Sequence, residues 1–202
     1  AMHIDLLAFT GHKSLYGPQG TGGLVIGGGL EHAIGPLIHG GTGSRSEFEV
    51  QPDFLPDKYE SGTPNTIGIA GLHAGIGFVS GVGIDAVRRH EKSLTARLLE
   101  RLESIDGVRV YGVKDPDRQT AVVSFAVDGM SPSDVSFALD EEYGVMSRPG
   151  LHCAPSAHRA IGTFPEGTVR FSAGFFTTRE DIDYAADAVA AIAARGRKGA
   201  GK

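Results

Sequence analysis

Lys13 stands in Thr10-Gly11-His12-Lys13, directly after the apolar run Ile4 to Phe9 and ahead of Gly17-Pro18-Gln19-Gly20. A lysine at a strand end in a glycine-rich turn can form a Schiff base with an aldehyde once its amine is neutral, and the plainer reading is a solvated surface lysine. Cys153, the single cysteine, lies in Arg148-Pro149-Gly150-Leu151-His152-Cys153-Ala154-Pro155. A lone cysteine is often a small buried hydrophobe. Its polar, cationic neighbours His152 and Arg148 suit an exposed, nucleophilic sulfur equally well, so both readings stay open. Arg170 interrupts the apolar strand Thr168-Val169-Arg170-Phe171. Its planar fork takes a carboxylate through two parallel hydrogen bonds, which leaves an internal salt bridge and a substrate carboxylate both open. Tyr59-Glu60-Ser61-Gly62-Thr63-Pro64-Asn65 ends at a helix start, where hydroxyls and N–H groups suit an anion, or where Thr63 or Asn65 simply caps the helix.

Other chemistries find little support. The glycines at 17, 20, 22 and 23 complete neither the dinucleotide nor the P-loop fingerprint, so tight turns are their better reading. His12, His152 and His158 form no i, i+4 ligand pair and no cysteine pair assists them, which predicts no metal site. A net charge of −5 argues against a nucleic-acid partner, whose phosphates demand clustered Lys and Arg. One cysteine excludes an intramolecular disulfide and predicts a reducing, cytoplasmic setting. No apolar run approaches the roughly 20 residues that span a bilayer, so no membrane partner is expected.

The elements that must position these residues follow from periodicity. Ile4 to Phe9 and Leu24 to Ile26 read as buried strands, and residues 35–65, rich in Gly, Pro, Ser and Asp, read as a long site or interface loop. A small-residue helix starts at Thr66, and a cleaner amphipathic helix spans 84–105 with Val87, Leu94, Leu98, Leu99 and Leu102 on one side. Strands are predicted at 108–111, 121–127, 145–147 and 168–172. A helix capped by Ser131 or Ser133 runs to about Glu142, and a last helix opens on the capping box Thr177-Thr178-Arg179-Glu180. This order predicts an α/β fold in three parts: residues 1–83 as the end of a large α/β domain, 84–196 as a small α+β domain, and 197–202 as a disordered tail.

Four segments, in the same order, resemble the cysteine desulfurases of the class V aminotransferase group, which are fold-type-I pyridoxal 5'-phosphate enzymes. Thr10-Gly11-His12-Lys13 with Leu15-Tyr16-Gly17-Pro18 is similar to the family's cofactor-lysine segment, and Glu60-Ser61-Gly62-Thr63-Pro64-Asn65 to its phosphate loop. Arg148 to Ala154 resembles the active-site cysteine loop, and Val169-Arg170-Phe171-Ser172 the carboxylate-binding strand. The resemblance implies Lys13 as the Schiff-base lysine, with Thr10 and His12 on the cofactor phosphate. It implies that Thr63 serves the phosphate of a neighbour across a homodimer. It further implies Cys153 as the thiolate that takes sulfur from L-cysteine, leaving alanine and a persulfide for an acceptor protein. Arg170, with Arg148, would bind the substrate.

Ser14 adds a residue before Leu15, which leaves the branch of the family open. The family's N-terminal half supplies a further phosphate loop, a ring-stacking residue and the pyridine-nitrogen aspartate. Nothing before Ile4 matches these, so the chain is expected to be the C-terminal part of such an enzyme, binding the cofactor poorly by itself. The alternatives are a selenocysteine lyase, another class V lyase or aminotransferase, or a non-catalytic dimerisation module.

Overall fold

The computed structural model describes residues 3–45 and 47–200. The chain falls into two compact units, Ala1–Gly83 and Ile84–Lys202.

In the first unit, β1 (Leu6–Thr10) and β2 (Gly22–Ile26) pair antiparallel, with Leu6 opposite Ile26 and Thr10 opposite Gly22. Side chains alternate along a strand, so Leu6 and Ala8 share one face while Leu7 and Phe9 share the other. Both faces are apolar, the composition of a strand covered on both sides. The predicted burial is not found, because Leu6, Leu7, Leu24 and Val25 are 40–53% exposed and two strands cannot cover themselves. Gly22 and Gly23 belong to β2 rather than to a turn. A Cβ on Gly23 would lie 2.5 Å from the Phe9 ring, so glycine is what lets the strands meet there.

Helix α1 (Thr66–Val82) begins at Asn65, whose side chain accepts from the Gly68 N–H at 3.0 Å. Gly68, Leu72, Gly75 and Val79 form its buried stripe at intervals of three and four. The intervening segment is irregular but tied down. Lys58, only 6% exposed, donates from Nζ to the Glu31 carbonyl at 2.9 Å, and the Tyr59 hydroxyl lies 2.9 Å from the carbonyls of both Glu31 and Ile34.

The second unit runs α2 (Ile84–Glu103), β3 (Val108–Tyr111), β4 (Val122–Val127), α3 (Pro132–Tyr143), β5 (Arg148–Gly150), α4 (Pro155–Ala160), β6 (Thr168–Ser172) and α5 (Arg179–Ala200). The strands form one antiparallel sheet in the order β3-β4-β6-β5. Alternation puts Val123, Phe125 and Val127 of β4 and Val169 and Phe171 of β6 into a core with Leu98 and Leu102 of α2, Val135 and Leu139 of α3, and Val189 and Ile192 of α5. Burying each such side chain contributes roughly 1.5–3 kcal/mol. The opposite face of the sheet carries the row Tyr111, Ser124, Arg170 and Arg148 in direct register.

Three sequence expectations are corrected here. The strand predicted at 145–147 lies instead at Arg148–Gly150. Ser147 is engaged side chain to side chain with Ser136 at 2.8 Å, and Pro149 is tolerated because β5 is an edge strand. The cap of α5 sits one residue later than predicted: the Asp181 N–H donates to the Thr178 hydroxyl at 3.1 Å and the Thr178 N–H to the Asp181 carboxylate at 2.8 Å. Helix α5 also continues to Ala200, past the point where a tail was expected. Gly196 permits this, since a Cβ there would already press on Met130 at 3.1 Å and on the Asp128 carbonyl at 3.2 Å. Residues 201 and 202 of that expected tail lie outside the described residues. For α3 the structure chooses Ser131 as the cap, with Pro132 at the first helical position.

Candidate functional site

The Lys13 turn is built by backbone. Beyond β1, the Gly11 N–H donates to Thr21 O at 2.8 Å, Gly17 N–H to Gly11 O at 2.9 Å, and Tyr16 N–H to Lys13 O at 3.0 Å, folding residues 11–17 into a closed loop. Helix α1 seats it through glycine. A Cβ on Gly75 would stand 2.3 Å from Leu15 O, so only glycine lets the helix approach the turn this closely. Tyr16, at φ 56°, sets its ring edge-on to Phe78 at 5.7 Å. The outcome is that Thr10, His12 and Lys13 are exposed, and none of the three side chains forms a hydrogen bond or ion pair among the described residues. A hydroxyl, an imidazole and an amine are the donor types that suit a phosphate and an aldehyde, so this set fits a phosphorylated aldehyde such as pyridoxal 5'-phosphate. Thr63 is exposed two residues before the α1 cap, and Asn65 rather than Thr63 does the capping, which leaves the Thr63 hydroxyl uncommitted.

The second unit holds Cys153 and Arg170. Cys153 is exposed, and Arg148 Nη2 lies 3.4 Å from its Sγ. The loop reaches this geometry through two successive left-handed residues, His152 at φ 52° and Cys153 at φ 61°. Such conformations cost on the order of 1–3 kcal/mol each and need surrounding contacts to hold them. Those contacts are present: Ala154 N–H donates to Leu151 O at 2.8 Å, and His152 Nε2 donates to Arg148 O at 2.9 Å. Beneath them the His152 ring packs 5.4 Å from that of His158, which is 4% exposed and bonded through Nδ1 to the Thr163 hydroxyl at 2.7 Å. Burial first, then the charges of Arg170, His158 and Arg148, push the His152 pKa below its ordinary value of 6.5 against the opposing bond to Arg148 O.

Arg170 faces Arg148 directly across β5 and β6. It forms no ion pair among the described residues, and its Nε is buried without a hydrogen-bond partner. The internal salt bridge that the sequence left open is therefore not what Arg170 makes. The His158–Thr163 support was missed by sequence reading, as was α4. The available signal was Pro155, which as a first-turn proline opens a helix and places His158 within it.

The model of the aminotransferase class-V family matches residues 1–185. A protein named "Probable cysteine desulfurase" from Methanothermobacter thermautotrophicus is 36% identical over 200 residues, which are 97% of this chain and 49% of that protein. One of the same name from Xylella fastidiosa (strain Temecula1) is 39% identical over 188 residues, 91% of this chain and 43% of that one. Among solved structures, the apo cysteine desulfurase of Thermococcus onnurineus NA1 matches with a TM-score of 0.86 at 33% identity, covering 96% of this chain and 48% of that one. The cysteine desulfurase CsdA of Escherichia coli, in an S-sulfonic acid form, gives 0.81 at 31% identity over 95% and 46%. The chain thus spans about half the length of these relatives, and its mixed α/β architecture is a part of their pyridoxal-phosphate transferase fold. With the family model covering most of its residues, the chain belongs to the class-V aminotransferases, a family of pyridoxal-phosphate enzymes.

Proposed function

We propose that this chain carries the lysine and the sulfur-accepting cysteine of a cysteine desulfurase, which converts L-cysteine to L-alanine. The observation that carries the reading is an exposed Cys153 whose sulfur meets Arg148, directly across the ladder from an Arg170 that no carboxylate of the described chain neutralises. In this reading Lys13 holds the cofactor aldehyde and moves protons through its amine, while Thr10 and His12 donate to the phosphate and Thr63 to that of a second subunit. Pyridoxal phosphate, when bound, supplies the electron sink that the substrate's bond cleavage needs. Arg170 clamps the substrate carboxylate. The Cys153 sulfur attacks the substrate sulfur: an S–S bond forms, the substrate Cβ–S bond breaks, and its electron pair stays with carbon. Uptake of a proton there completes the methyl group of alanine. The Cys153 persulfide then passes its outer sulfur to an acceptor protein. A reducing cytoplasm suits this role, because an exposed thiol must stay unoxidised to accept sulfur.

The test is labelling. The chain is incubated with excess pyridoxal phosphate, reduced with borohydride and mapped by peptide. Label on Lys13 well above that on the ion-paired lysines Lys92 and Lys114 supports the reading. Because the chain spans about half the length of its relatives, label spread evenly over all three in a chimera completed with the remaining half of the Thermococcus onnurineus enzyme overturns it.

A further inference from the structure

Arg148 and Arg170 are nearest neighbours across the β5–β6 ladder, on the sheet face turned away from the helical core. Like charges placed directly opposite one another destabilise a sheet. The described chain offers no carboxylate to either, so the pair is an electropositive spot kept at a cost to folding. Two arginines without acids suit two anions. Their surroundings differ in kind. Among the described residues the one side-chain partner of Arg148 is the Cys153 sulfur at 3.4 Å, whereas the Nε of Arg170 is buried and has no hydrogen-bond partner.

The other candidate cation close to the sulfur is His152, whose second protonation the geometry disfavours. His152 Nε2 approaches the Arg148 carbonyl, which can only accept, so that nitrogen carries the proton and burial disfavours a second one. His158 lies beneath, committed to Thr163. The same His152 bond fastens the loop to the backbone of Arg148, so the segment that bears the thiol is folded back onto the residue whose guanidinium meets it.

We propose that Arg148 is the positioning residue of Cys153: its guanidinium fixes the direction of that sulfur and pairs with its charge when it reacts, as thiolate before sulfur arrives and as persulfide afterwards, and leaves carboxylate recognition to Arg170. The persulfide half rests on the desulfurase reading above, and the thiolate half does not. A charge-assisted bond to sulfur stabilises the charge of the attacking thiolate and fixes its direction. Removing Arg148 removes both and also relieves the cross-strand repulsion, so reactivity and stability should move in opposite directions.

The experiment is alkylation of Cys153, the single cysteine, by iodoacetamide at neutral pH, without cofactor or substrate. Arg148→Gln should slow the reaction about tenfold, Arg148→Lys should recover a good part of the loss, and Arg170→Gln should slow it less than Arg148→Gln. Arg109→Gln, an exposed arginine on the distant strand β3, should leave the rate at the parent value. The melting temperature of Arg148→Gln should not fall below that of the parent, which a purely structural arginine would not allow. A glutamine variant as reactive as the parent, or a lysine variant no faster than the glutamine one, overturns the proposal. Should Arg148→Gln fail to fold, iodoacetate is compared with iodoacetamide on the Arg170→Gln chain. A preference for the anionic reagent beyond that of free cysteine supports Arg148, and no such preference overturns it. Since neither reagent involves Lys13 or the cofactor, this outcome is independent of the labelling result.

Discussion

At His152, folding and protonation oppose one another. Burial and nearby cations hold the folded ring's pKa below 6.5, while the unfolded chain protonates it at about that value. The unfolded state therefore binds more protons as the pH falls, and the stability that is complete above about pH 6.5 is lost progressively below it. The urea midpoint of the chain should decline between about pH 7 and pH 5, and His152→Gln should flatten that decline; parallel slopes for the two proteins would remove His152 as the cause. Single residues were also the most legible scale of the sequence. Lys13 and Cys153 are both exposed, and their types and neighbours were readable without coordinates. What Arg170 pairs with was not readable, since that depends on which residue stands across the ladder. The division of capping between Thr63 and Asn65 was likewise settled only by a hydrogen bond.

Elements hold these residues through backbone contacts that only glycine permits. Gly167, at φ 82°, has its hydrogen where a Cβ would lie 2.1 Å from the Gly150 carbonyl, at the stem of the cysteine loop. Gly167→Ala adds left-handed strain to a clash between main chains, and should cost about 2–4 kcal/mol in urea unfolding. A loss below about 0.5 kcal/mol would mean that the stem is not rigid. Periodicity identified α2, β3, β4 and β6 to within a residue or two and the start of α1, because each has an apolar face at the helix or strand period, and capping placed α3. It misplaced β5, whose Arg-Pro-Gly carries no apolar alternation at all. That strand exists because the edge of β6 accepts it, and Arg148 is thereby a strand residue rather than a loop residue.

Across the whole molecule, apolar burial is uneven. The second unit has a continuous core in which Leu102, Phe125, Val135, Leu139 and Val169 are fully buried, whereas the first leaves Leu6, Leu7, Leu24 and Val25 in solvent. A lone two-stranded ribbon is marginal in water. Amide exchange should therefore be slowest in α2, β4 and α5, and on the order of a hundredfold faster in β1 and β2. Equal protection would refute that contrast. Protection of β1 and β2 that grows with protein concentration would mark self-association, as the homodimer of the proposed function requires. By itself the sequence determined the residue types able to do this chemistry, their order along the chain and most of the helices and strands, because propensity, capping and apolar period are local properties. Only the tertiary structure decided that Arg148 faces Arg170, that the cysteine loop turns back onto Arg148, and that β1 and β2 lie open. Register, loop closure and burial each depend on residues far apart in the chain, and no local pattern encodes them.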